Sequence, residues 1–145
     1  MDKFVNQLKI AFASQYAFAI KAQNFHWNVE GIDFYQKHKM FQKIYEETYG
    51  AVDDFAENIR KIKAYTPASL YRFSALSAVD DEVEVLDPSA MVAELLRDSE
   101  KMQEIMKHLF VEAEALGHHG LSNFLADRQD AFAKHAWFLR STLKD

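Results

Sequence analysis

Two imidazoles and two carboxylates recur in this chain at intervals suited to gripping a metal ion. His26 stands in Asn24-Phe25-His26-Trp27-Asn28-Val29-Glu30-Gly31, and His38, Asp53 and Glu57 follow it. Iron(II) and other borderline divalent ions accept imidazole nitrogen and carboxylate oxygen together. Asp53 and Glu57 are spaced i, i+4, so on a helix they project from one face, one turn apart. His26 falls near the end of one helical pattern and His38 near the start of the next. A turn at Gly31 brings the two imidazoles toward each other.

The elements that must position these groups read as helices. Phe4, Val5, Leu8, Phe12 and Tyr16 recur at helical spacing, which predicts a first helix from about Asp2, as N-cap, to about Asn28. A second helix is expected from near Asp33, carrying Phe34, Phe41, Ile44, Tyr45, Val52, Phe55, Ala56, Ile59 and Ile62, and ending before Pro67. Residues 64–86 form a long mixed connection with a short helix around Leu70 to Ala78 and a solvated acidic stretch at Asp80, Asp81, Glu82 and Glu84. Asp87-Pro88 starts a third helix, which places Met91, Met102 and Met106 in the core and stops at Gly117. The fourth runs from about His119 to Leu143. Connections that run short, long, short predict an all-α, ferritin-like four-helix bundle with a crossover that carries a short helix, as one domain over 1–145.

The expected helices constrain the metal chemistry. On one straight helix His38 and Asp53 are separated by roughly 22 Å of rise at 1.5 Å per residue, although their azimuths differ by only about 60°. They share a face but cannot share an ion. A two-fold axis that sets this helix antiparallel to its copy solves the problem. It brings His26 and His38 of one subunit against Asp53 and Glu57 of the other, with two equivalent sites per pair.

Composition narrows the function classes. The formal charge of −5 argues against a general nucleic-acid footprint, which needs clustered Lys and Arg. The absence of cysteine removes thiolate ligands, thiol nucleophiles and disulfides, and fits a reducing compartment. Met1-Asp2-Lys3-Phe4 is no signal-peptide start, and the apolar run from Ile10 to Ile20 is too short to span a bilayer. A cytoplasmic protein is the expectation.

The run His26-Trp27-Asn28-Val29-x-Gly31-x-x-Phe34-x-x-x-His38, followed by Asp53-x-x-Ala56-Glu57-x-Ile59-Arg60, resembles the Dps family of ferritin-like mini-ferritins. Lys134-His135-Ala136-Trp137-Phe138-Leu139 is similar to that family's last helix. The resemblance implies a hollow shell of twelve subunits. It implies iron(II) oxidation between two-fold-related subunits, with hydrogen peroxide typically the oxidant. It also implies ferric iron storage and protection against oxidative damage. By the same resemblance His26, His38, Asp53 and Glu57 match the metal ligands, and Trp27 matches an aromatic beside the site that absorbs stray oxidising equivalents.

This chain departs from the family at several positions. Gln42 stands where the family usually carries an acid, which weakens a second iron position; Glu46 is a candidate substitute. Gly117-His118-His119-Gly120 replaces acids that help line an ion pore in the family, leaving Asp127 and Asp130 on one helical face as candidate pore acids. The Lys-rich tail through which many members bind DNA is absent from this sequence. Two other function classes remain beside the ferroxidase: a protein that compacts DNA, and a structural shell with an impaired site.

Overall fold

The computed structural model describes residues 1–144. Six helices follow one another: α1 (Asp2–Asn28), α2 (Phe34–Gly50), α3 (Val52–Lys61), α4 (Leu70–Leu76), α5 (Pro88–Ala115) and α6 (His119–Leu143). α1 packs on α2, α5 packs on α6, and α1 also packs on α5, so two helical hairpins close one core. The crossover between them carries α4 against α1. This is the expected ferritin-like bundle, with α2 and α3 together forming its second long member. Among the described residues no helix is long and apolar enough to cross a membrane.

The ends form where local chemistry dictates. Asp87 caps α5 by accepting a hydrogen bond from the Ala90 N–H at 2.9 Å, with Pro88 in the first turn. After α5, Gly117 takes φ +79, and the N–H groups of Gly117 and His118 close on the carbonyls of Glu114 and Ala113. Lys63 does the same work after α3 at φ +73, without a glycine's freedom. Ser69 caps α4, its Oγ accepting from the Arg72 N–H. Asp2 does not cap α1; Met1 holds that place, and Asp2 lies in the first turn, where an acid suits the helix dipole.

The unbroken second helix expected from the sequence is corrected by a break at Ala51. The Gln15 side chain donates to the Thr48 carbonyl at 3.1 Å, and the Ala51 N–H reaches the same carbonyl at 3.3 Å. Thr48 O is therefore taken by groups other than its usual helical partner at Val52, and the ladder steps before α3 restarts. Gly50, a weak helix former, stands at the same place.

The core is aromatic. Phe18, Phe25, Phe41, Phe55 and Phe132 are fully buried, and Met91, Met102 and Met106 fill the α5 side, as their spacing predicts. Phe34 departs from its expected stripe and is exposed. Burial of a large apolar side chain contributes about 1.5–3 kcal/mol, so these residues carry much of the fold.

Candidate metal centre

His26 and His38 lock each other. Nδ1 of His26 lies 2.7 Å from the backbone oxygen of His38, and Nδ1 of His38 lies 2.7 Å from the backbone oxygen of His26. A carbonyl oxygen only accepts, so each Nδ1 carries the proton and donates. Both Nε2 lone pairs are left available as metal donors. The rings stack with centroids 3.8 Å apart and planes 17° apart. Phe34 stacks on His38 at 5.1 Å and Tyr45 leans on His26 at 5.2 Å, which holds the pair from both sides. His26 is buried and His38 half-buried, while Trp27 beside them is 66% exposed.

The carboxylates sit apart from this pair. Asp53 and Glu57 project from α3, beyond the break at Ala51, and both are exposed. Asp54 joins them: one oxygen from each of the three acids lies within 4.8 Å of the others. Among the described residues this is the one group of three ligand-type side chains close enough to hold an ion, and it contains no imidazole. Within one chain the histidines and the acids are two separate groups.

Gln42 and Glu46 pair with each other. The Gln42 amide nitrogen donates to Glu46 Oε1 at 2.6 Å on the exposed side of α2. Asp127 and Asp130 are both exposed on α6. Of the imidazoles near the start of α6, His119 is held by Glu114 at 2.5 Å and His118 stacks against Phe4. The acids at 80, 81 and 84 are solvent-exposed, as expected, but Glu82 is half-buried and its backbone oxygen accepts from Asn24.

A second polar cluster, not foreseen from the sequence, joins α1, α2 and α6. Arg128, 3% exposed, donates through Nη1 and Nη2 to the two carboxylate oxygens of Glu47. Its Nε donates to Gln15 Oε1 at 3.1 Å, and His135 Nε2 approaches Glu47 Oε1 at 2.8 Å. Burial raises the Glu47 pKa, but the hydrogen bonds from His135 and Arg128 and the nearby guanidinium charge outweigh it and bring it down to about 2. A third cluster holds α1 to α5: Lys21 Nζ meets Asp98 Oδ2 at 2.7 Å and Glu94 Oε2 at 3.7 Å, all three largely buried. Burial, and the neighbouring Glu82 carboxyl, push the Glu94 pKa up. Only helical spacing on single elements is visible along a sequence, and these clusters join different helices.

The profile of the ferritin-like domain family matches residues 5–145. The DNA protection during starvation protein of Helicobacter pylori is 30% identical over 125 residues, which cover 86% of this chain and 87% of that protein. Antigen TpF1 of Treponema pallidum is 30% identical over 126 residues, 86% of this chain and 71% of its own length. The crystal structure of TpF1 superposes with a TM-score of 0.94 at 28% identity, over 99% of this chain and 93% of that one. Dps from Staphylococcus aureus gives a TM-score of 0.94 at 25% identity, over 100% of this chain and 97% of that one.

Proposed function

The chain belongs to the ferritin-like domain family and, within it, to the Dps proteins, and on that premise we propose that it oxidises iron(II) between two-fold-related subunits and stores the ferric product. Iron is the substrate and cargo. Hydrogen peroxide is the oxidant, the shell has twelve subunits, and the activity protects against oxidative damage.

The observation that carries this reading is the reciprocal lock of His26 and His38. It fixes both tautomers and leaves two Nε2 donors free, while the acidic cluster of Asp53, Asp54 and Glu57 contains neither imidazole. Asp53 and Glu57 of a second subunit complete the donor set. Imidazole nitrogen with carboxylate oxygen fits iron(II), and the carboxylates favour the harder iron(III) that oxidation produces. Trp27 stands exposed beside the imidazoles to take up stray oxidising equivalents.

The bundle interior supports the same placement. Di-iron proteins of the ferritin-like class hold metal among carboxylates and histidines projecting inward from the four helices. Here both oxygens of the Glu47 carboxylate are already engaged by Arg128 and His135, so that carboxylate is not free to grip a cation. The half-sites at the surface are left as the place for iron.

The test is stopped-flow oxidation of iron(II) by peroxide in an Asp53→Ala, Glu57→Ala double variant. Fast oxidation is expected to disappear while assembly, followed by light scattering, persists. Unchanged kinetics would remove these acids from the site.

A further inference from the structure

Three tyrosines run through the subunit from the histidine half-site to the carboxylate half-site. The His26 ring is 5.2 Å from Tyr45, Tyr45 is 6.0 Å from Tyr49, and Tyr49 is 5.8 Å from Tyr16, all between centroids. Tyr16 then lines a groove of about 530 Å³ that Asp53 also lines. Each ring-to-ring step is a tilted or edge-to-face contact. The three phenols are partly buried, and Tyr49, in the middle, donates to Gln23 Oε1 at 3.3 Å. Burial and the two flanking tyrosines raise the Tyr49 pKa, which keeps it a protonated phenol.

Core packing needs aromatic rings at these places, but it does not need hydroxyls. Phenylalanine supplies the packing elsewhere in this core, where Phe12, Phe55 and Phe124 meet edge to face. Tyrosine differs from phenylalanine in that its phenol can be oxidised by one electron.

The two ends of the series belong to different iron sites. In the two-fold pair, one chain's histidines serve one site and its Asp53 serves the other. We propose that Tyr45, Tyr49 and Tyr16 form an electron relay that joins the two iron sites of a subunit pair. This rests on the intersubunit site proposed above.

The relay answers a shortage of electrons. Hydrogen peroxide takes two electrons and two protons to become two waters, and one iron(II) supplies one electron. Gln42 replaces an acid and is engaged with Glu46, so each site holds one iron firmly. The second electron comes from the nearest relay tyrosine, whose O–H gives an electron to the oxidant and a proton toward water formation. That tyrosine is re-reduced along the series by iron(II) at the other site, and it regains a proton from solvent. The sum is two iron(II), one peroxide and two protons giving two iron(III) and two waters, with every tyrosine restored.

The experiment compares the assembled wild type with Tyr49→Phe and, separately, Tyr16→Phe, each loaded anaerobically with one iron(II) per site and given limiting peroxide. The exposed Tyr35→Phe is the control outside the series. Wild type and the control are expected to consume one peroxide per two iron(II), without a hydroxyl-radical signal in a spin trap. Each relay variant is expected to bind iron(II) normally but to double the peroxide consumed per iron and to give a spin-trap signal. At iron loadings well below one per site, freeze-quenched EPR should show a tyrosyl radical in the wild type that fades as loading approaches one per site. Fast oxidation in both relay variants with wild-type stoichiometry and no trapped radical overturns the relay and leaves the site assignment standing. Failure of the wild type itself to oxidise iron(II) overturns both.

Discussion

Arg128 holds Glu47 through two guanidinium nitrogens, at 2.5 and 3.1 Å, between α6 and α2. The guanidinium is buried while the carboxylate is 38% exposed. The two ends of this pair should therefore respond differently to mutation and to pH.

Acid should weaken the fold through Glu47. Its folded pKa is depressed to about 2 from 4.5, so its contribution is fully present above the unfolded value and is lost as pH falls toward 2. Because the carboxylate is partly exposed, solvent screening reduces the contribution to about 1–2 kcal/mol. Urea midpoints measured between pH 5 and pH 2 should fall more steeply in the wild type than in Glu47→Gln. Parallel curves would remove Glu47 from the acid response.

The Lys21–Asp98 pair should behave as a unit. Both side chains are almost fully buried. Lys21→Met leaves Asp98 buried without its partner and should cost about 3 kcal/mol or more, whereas Lys21→Met with Asp98→Leu should recover much of that loss. A double-mutant cycle by chemical denaturation measures the coupling, and simple additivity would contradict it.

Lys63 carries backbone strain that a glycine would relieve. At φ +73 a non-glycine residue costs roughly 1–2 kcal/mol, and glycine's extra unfolded freedom offsets about 0.5–1 kcal/mol of the gain. Lys63→Gly should stabilise the protein by about 0.5 kcal/mol, read as a higher urea midpoint at unchanged slope. The same change at a helix interior would destabilise it.

Gln42 should limit the iron bound per site. Gln42→Asp restores a carboxylate on the histidine half-site, next to Glu46. Anaerobic titration should then show iron(II) bound per site rising from one toward two. An unchanged count would mean that Gln42 is not what limits the second position.

The parts of this protein that a sequence displays are those whose partners are near in the chain. Asp87-Pro88, Gly117 and the periodic methionines mark α5 because caps, stops and stripes are local. The candidate half-sites were legible for the same reason: His26 and His38 flank one turn, and Asp53 and Glu57 share one face. The break at Ala51 was hidden because the apolar stripe continues through it, and its cause is Gln15 on another helix. Arg128 with Glu47 and His135, and Lys21 with Asp98, were equally hidden, since each joins positions remote in the chain. The tyrosine series is hidden in the same way: Tyr45 and Tyr49 share α2, but Tyr16 joins them from α1.

Whether iron sits between chains is decided by anomalous diffraction from crystals soaked anaerobically in iron(II). Two equivalent iron positions per two-fold pair are expected, each bound by Nε2 of His26 and His38 from one subunit and by Asp53 and Glu57 from the other. Iron held by a single chain, at Asp53, Asp54 and Glu57 alone or beside Glu47 and His135 in the bundle, would contradict that arrangement.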